Sequence, residues 1–270
     1  MKYRILSLAA GAVLAIAGCE TVSTTAPGAI GVDRKQMMLV SEAEVERGAE
    51  QAYATELNKA KQQGQLNADA AQTQRVRAIA ERLIRQTPVF RADAANWAWN
   101  VNVQKSADLN AYCMPGGKIM VYSGLIDKLK LSDAELATVI GHEMAHALRE
   151  HSREAVSRAY AEQMGLGALG ALAGLSDSSV KLAGLISNVT FTLPRSRVQE
   201  SEADRIGLEL MARAGYDPHA ALSLWQKMAQ ASQGGTPSFL STHPSSSTRL
   251  GDLQALMPRV LPLYQAASKH

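Results

Sequence analysis

Aromatic residues make up only 5% of this chain, and its charge is nearly balanced at a formal +3. A nucleic-acid footprint needs clustered basic residues interleaved with aromatics, and here the Lys and Arg are scattered, which sets that class aside. Cysteine occurs twice, at Cys19 and Cys113. If Cys19 is consumed in processing, Cys113 is the only thiol left and no internal disulfide forms. Cys113 then reads as a small buried hydrophobe, with an intermolecular bridge or a redox switch as the alternatives. Long apolar runs are also missing, because crossing a bilayer takes about 20 consecutive apolar residues. The run ILSLAAGAVLAIA is too short, and the Gly, Ala and Leu-rich stretch from Met164 to Ser187 is interrupted by SDSS. What remains is a 270-residue chain, 46% hydrophobic and 20% charged, with enough apolar content to bury one sizeable core or at most two.

The N-terminus differs in kind from the rest. Lys2 and Arg4 precede the short apolar run, and Ile16, Ala17, Gly18 and Cys19 resemble a bacterial lipobox. Residues 1–18 are therefore expected to be a lipoprotein signal peptide, with acylation of Cys19 holding the mature protein on a membrane. The alternative is an ordinary signal cleaved near Ala17 or Gly18. Glu20, rather than Asp, resembles enteric sorting signals for the outer membrane. The segment ETVSTTAPGAIGVDRK has no apolar periodicity, so residues 19–40 are predicted to be a flexible tether and 41–270 the folded domain.

Within that domain the periodicity predicts an α+β, mainly helical fold. Helices are expected from Ser41, on the stripe Val76, Ile79, Ala80, Leu83 and Ile84, from Arg197 to Ala214 and from Pro218 to Ala231, with a final helix after STHPSSSTRL. Alternation in WAWNVNVQ, extended LNAYCM, and KIMVYSGL after the turn at Pro115, Gly116 and Gly117 predict a small antiparallel sheet. Ser132 followed by Glu135 makes a capping box, which places GHEMAHALREH inside a helix. The segment 164–187 is read as a lid over the site, with a buried helical hairpin or a membrane-facing element as the alternatives.

On a helix, residues four apart lie about 40 degrees apart around the axis, so the imidazoles of His142 and His146 converge. Glu143, about 100 degrees from His142, is placed to act on a water at that point rather than to ligate. Two histidines and a general base fit a hydrolytic zinc site, which needs a third protein ligand; buried core histidines or a chance match are the alternative for this pattern alone. The long metzincin pattern is excluded, since its glycine and third histidine positions are Arg149 and Ser152. His151 lies about 180 degrees from His142 and reads as a packing or salt-bridge residue. A second helix offers Glu200 as the ligand and Asp204 on the same face to orient a ligand histidine, whereas Glu202 reads as a solvent-facing charge.

HEMAHALREHSRE, ESEADRIG, NAYCMPGGKIMVYSGL and STHPSSSTRL, taken together, resemble the signature regions of metallopeptidase family 48, gluzincin zinc endopeptidases with a bacterial outer-membrane lipoprotein branch. The resemblance runs from about Ser41 to the C-terminus. It implies a zincin-like fold with zinc on His142, His146 and Glu200, and Glu143 as base. It further implies an edge strand at Asn110 and Ala111 that pairs with the substrate backbone, with His243 and Arg249 near the metal as oxyanion donors or, for His243, as a restraint. By the same resemblance the substrates are unfolded or misassembled envelope proteins. The location is the periplasmic face of the outer membrane, and outer-membrane assembly machinery is the partner class. A non-proteolytic assembly or chaperone lipoprotein that binds client strands is the competing class; it has no need of Glu143.

Overall fold

The computed structural model describes residues 20–166, 178–232 and 237–269. The signal segment and Cys19 lie outside those residues. The chain opens with β1 (Glu20–Val22) and β2 (Gln36–Met38), an antiparallel pair. Residues 20–40, expected to be part of a flexible tether, instead pack against the domain. Ile30 is fully buried, its N–H donates to Glu209 at 3.1 Å, and Arg205 donates to its carbonyl oxygen at 2.5 Å. A few isolated anchors reach partners more than a hundred residues away, and local composition carries no trace of such contacts.

Helices α1 (Glu42–Gln62) and α2 (Ala70–Ile84) follow; Ser41 caps α1 in a capping box with Glu44. After two short 3-10 turns come β3 (Asn100–Gln104), β4 (Ala111–Met114) and β5 (Lys118–Tyr122), ordered β3-β5-β4. The hairpin of β4 and β5 is antiparallel as expected, with its turn at Gly116 and Gly117 in left-handed backbone at φ 71° and 77°. β3 pairs parallel to β5, so the sheet is mixed rather than wholly antiparallel. The hairpin turns β5 back alongside β3, and the alternation of β3 alone could not reveal its direction.

Helix α3 (Ser123–Leu129) leads to α4 (Asp133–Leu148), capped by Ser132 with Glu135 as read from the sequence. Then come α5 (His151–Leu166), α6 (Ser178–Phe191), α7 (Arg197–Arg213), α8 (Ala220–Ala231), α9 (Ser238–Thr242) and α10 (Arg249–Ala267). The fold is mainly helical with small sheets. Of the segment 164–187 proposed as a lid, residues 167–177 lie outside the described part. Its last residues belong to α6, where Ile186 and Val189 are buried in a cluster with Val45, Ala49 and Tyr53 of α1. No described helix is long and apolar enough to cross a membrane.

The crossing of α4 with α7 sets the site. It is made by two glycines: a Cβ on Gly141 would lie 3.0 Å from the carbonyl oxygen of Gly207, and one on Gly207 would lie 2.8 Å from the amide nitrogen of His142. Backbone meets backbone there, and no side chain holds the axes apart.

Candidate metal centre

Helix α4 is buried along nearly its whole length, and His142, Glu143 and His146 are 1–2% exposed. One turn into α7, Glu200 is 3% exposed and faces both histidines. His142 Nε2 and His146 Nε2 are 3.1 Å apart; the Glu200 oxygens lie 3.5 Å from the first and 3.3 Å from the second. Nitrogen and oxygen ligands about 2.0–2.1 Å from a tetrahedral ion are roughly 3.3–3.4 Å from one another, so the three donors stand at the edge lengths of such a shell. The donor chemistry agrees. Each histidine has its other ring nitrogen engaged elsewhere, His142 Nδ1 with Asp204 at 3.0 Å and His146 Nδ1 with His151 at 2.7 Å, which leaves both Nε2 atoms for the centre.

A fourth donor is present. His243, at the C-terminal end of α9, places Nδ1 3.2 Å from His142 Nε2 and 3.0 Å from Glu200 Oε1. Its ring is stacked on Phe239 at 4.4 Å. All four ligand atoms fall within 4.8 Å of one another. Glu143 Oε1 lies 3.4 Å from His243 Nε2 without hydrogen-bond geometry, and it is buried with no hydrogen-bond partner among the described residues.

The electrostatics ask for a cation. Burial opposes charge on His142, but Asp204 and Glu200 outweigh it and hold its pKa up at about 10. Burial and the neighbouring charge of His142 press His146 the other way, well below the ordinary value. Glu200 stays ionised against burial because His243, His142 and His146 face it. The carboxylates thus favour positive charge at this point, as they would favour a metal ion there.

Arg249 faces the same carboxylates. Nε donates to Asp204 at 2.6 Å and Nη2 to Glu200 at 2.7 Å, while the guanidinium lies 3.9 Å over the Trp225 ring. It braces two carboxylates from behind, and only Nη1 is without a partner among the described residues.

Asn110 and Ala111 lie where β4 forms an outer edge of the sheet. The Tyr122 N–H donates to the Asn110 carbonyl, which fixes the phase of the antiparallel pair: Ala111 and Cys113 point their backbone groups away from β5. The Ala111 N–H already donates to the Asn110 side chain at 3.0 Å. Cys113 is buried, a free thiol pushed well above its ordinary pKa by that burial, as its reading as a small hydrophobe requires.

Two residues escaped the sequence reading, Glu202 and Arg195, whereas His151 is the packing and salt-bridge residue expected. Glu202, read as solvent-facing, is 6% exposed and hydrogen-bonds His151, Arg34 and Arg149; the N-terminal strap covers that face of α7. His151 is fully buried, and burial pushes it down to about 4 against the pull of Glu202. Arg195 is 7% exposed, and among the described residues its guanidinium hydrogen-bonds only Ser152 Oγ, at 3.5 Å, so its charge acts on Glu143 and Glu200 at longer range. Nothing in its local sequence marks it.

Known proteins resemble this chain to different extents. The mitochondrial metalloendopeptidase OMA1 of Schizosaccharomyces pombe is 38% identical over 59% of this chain and 47% of its own length. The metalloprotease LoiP of Escherichia coli is 29% identical over 92% of this chain and 94% of its own. The beta-barrel assembly-enhancing protease of Yersinia pestis is 29% identical over 74% and 42% respectively. The chain spans about half the length or less of the OMA1 proteins it matches. The profile of Peptidase family M48 matches residues 70–257, which takes in the α4 and α7 site residues, His243 and Arg249, and the chain belongs to that family.

Proposed function

We propose that the chain is a zinc metalloendopeptidase in which His142, His146 and Glu200 hold the metal and Glu143 is the general base. One observation carries the reading: three donors at tetrahedral edge spacing beside a buried carboxylate oxygen with nothing to bind. When bound, zinc lowers the pKa of water and polarises a carbonyl. Glu143 takes the proton from the attacking water and passes it to the departing amine. Asp204 holds the tautomer of His142, and Arg249 holds Asp204 and Glu200. His243, beside the three ligands, would donate to the developing oxyanion or, as the alternative, hold the open metal position and restrain the site. An extended substrate adds to the edge of β4 through Ala111 and Cys113, displacing the Asn110 side chain from the Ala111 amide; such pairing reads backbone and gives little side-chain selectivity.

The substrates in this reading are unfolded or misassembled envelope proteins, reached from an outer-membrane anchor at Cys19 facing the periplasm. The support is the lipobox-like sequence together with the full-length similarity to LoiP and the similarity to a protease named for β-barrel assembly. Digestion of casein or an unfolded outer-membrane protein by wild type and Glu143→Gln is the test. Cleavage by wild type alone is expected; equal cleavage by both removes Glu143 as base, and cleavage by neither points to a strand-binding chaperone.

A further inference from the structure

His142 and His146 are oriented by different means. His142 meets a carboxylate directly, through Asp204, whereas His146 meets another imidazole. We propose that His151 and Glu202 form a proton-ordering relay behind His146, anchored by Arg34 from the N-terminal strap, so that a residue outside the matched family region positions a metal ligand. The proposal rests on the metal reading above.

The hydrogen bonds allow one consistent order of protons. A carboxylate only accepts, so His151 Nε2, 2.9 Å from Glu202 Oε2, carries its hydrogen. A neutral His151 then has a bare Nδ1. That atom lies 2.7 Å from His146 Nδ1 and accepts the hydrogen there. His146 Nε2 is left with a free lone pair, directed at Glu200 and at His142 Nε2. Reversing the order would put the hydrogen of His146 on Nε2 and remove it as a ligand. His151 and Glu202 are 0% and 6% exposed, so water does not reorder the chain of donors.

Glu202 is in turn immobilised by the strap. Arg34 Nε donates to its Oε1 at 2.7 Å and Nη2 to its Oε2 at 3.1 Å, while the same guanidinium donates to both oxygens of Glu154, at 2.6 and 2.9 Å. Arg149, fully buried at the end of α4, donates to Glu202 at 3.3 Å and to the Arg34 carbonyl at 2.8 Å. Gln36 of β2 closes the ring, donating to the Arg149 carbonyl at 2.7 Å and to Glu154 at 3.1 Å. One arginine thus ties α5 to α7 and fixes the carboxylate at the end of the relay. Outer partners of a ligand histidine typically change metal affinity about 10- to 100-fold.

The test is chelator competition for zinc, the visible spectrum of the cobalt-substituted protein, and kcat and KM on unfolded casein, all with the full chain. Arg34→Met removes the anchor at a position whose side chain is one-third exposed. His151→Phe keeps a ring and deletes both nitrogens. The expected results are zinc affinity lower by about 10-fold for Arg34→Met and toward 100-fold for His151→Phe, altered cobalt bands in both, and lower kcat at unchanged KM. Arg34→Lys, which keeps the charge, should recover most of the affinity. Wild-type affinity and cobalt bands in both variants, with only melting temperature reduced, overturn the relay and leave a structural ion-pair network. A wild type that binds neither ion overturns the metal reading and the relay with it.

Discussion

Substituting Gly207 by Ala adds one methyl where α7 touches α4, and the structure gives the size of the conflict. The new Cβ would lie 2.8 Å from the His142 amide nitrogen, 2.9 Å from the Gly141 carbonyl carbon and 3.0 Å from the His142 Cα. All three are backbone atoms, so no rotamer change relieves the contact. Restoring ordinary separation moves the helices apart by roughly 0.6 Å or more. Overpacking of this kind costs about 1–3 kcal/mol, offset by the ~0.5–1 kcal/mol that alanine gains over glycine inside a helix. The net loss, up to about 2.5 kcal/mol, lowers the melting temperature by up to roughly 10 °C for a domain of this size. The larger effect falls on the centre, because α4 carries both histidines and α7 carries Glu200. Misplacement approaching 1 Å reduces rate by about 10²-fold; for the smaller shift we expect about 10-fold weaker zinc binding and lower peptidase activity. Gly184 in α6 has nothing within 4 Å of an added Cβ and is the control: Gly184→Ala should stabilise slightly and leave activity intact. Differential scanning fluorimetry with zinc titration reads both variants. Unchanged stability and zinc affinity in Gly207→Ala would refute the claim that backbone contact between the two helices sets the geometry.

Asp204→Asn removes the acceptor charge on His142 Nδ1 and one anchor of Arg249; metal titration should show affinity about 10- to 100-fold lower, with the protein still folded. Acid should weaken the strap. Burial raises the pKa of Glu154 and Glu202, but hydrogen bonds to Arg34 and, for Glu202, to His151 outweigh it and bring both down from 4.5 to about 2. Their stabilising contribution is therefore present above about pH 4.5 and is lost as pH falls from there through about 2, at ~1–2 kcal/mol each after solvent screening. Melting curves at pH 7 and pH 3 should show a larger drop for wild type than for Arg34→Met, and equal drops would contradict the assignment.

The site residues on α4 and α7 were legible because each pattern is local. Four-residue spacing puts His142 beside His146 and Glu200 beside Asp204 on any helix, and the Ser132 and Glu135 capping box says that a helix is present. Angular position alone misjudged Glu202. It lies about 200 degrees around α7 from Glu200, which reads as outward, yet α7 is enclosed on both sides and the covering strap has no periodic signal. Arg34 sits in a stretch whose composition resembles a linker, and its meaning comes only from Glu154 and Glu202, 120 and 168 residues away. Arg195 is of the same kind, a tertiary fact with no local spelling. The parallel pairing of β3 with β5 follows from chain direction after a hairpin, which alternation of side chains does not encode.

Zinc content is the most direct measurement, taken by elemental analysis on wild type, Glu143→Gln and Glu200→Ala purified alike. The account predicts one zinc per chain in wild type, one in Glu143→Gln, whose carboxylate acts on water rather than on the metal, and substantially less in Glu200→Ala. Full zinc retention in Glu200→Ala, or loss in Glu143→Gln equal to that in Glu200→Ala, would contradict it.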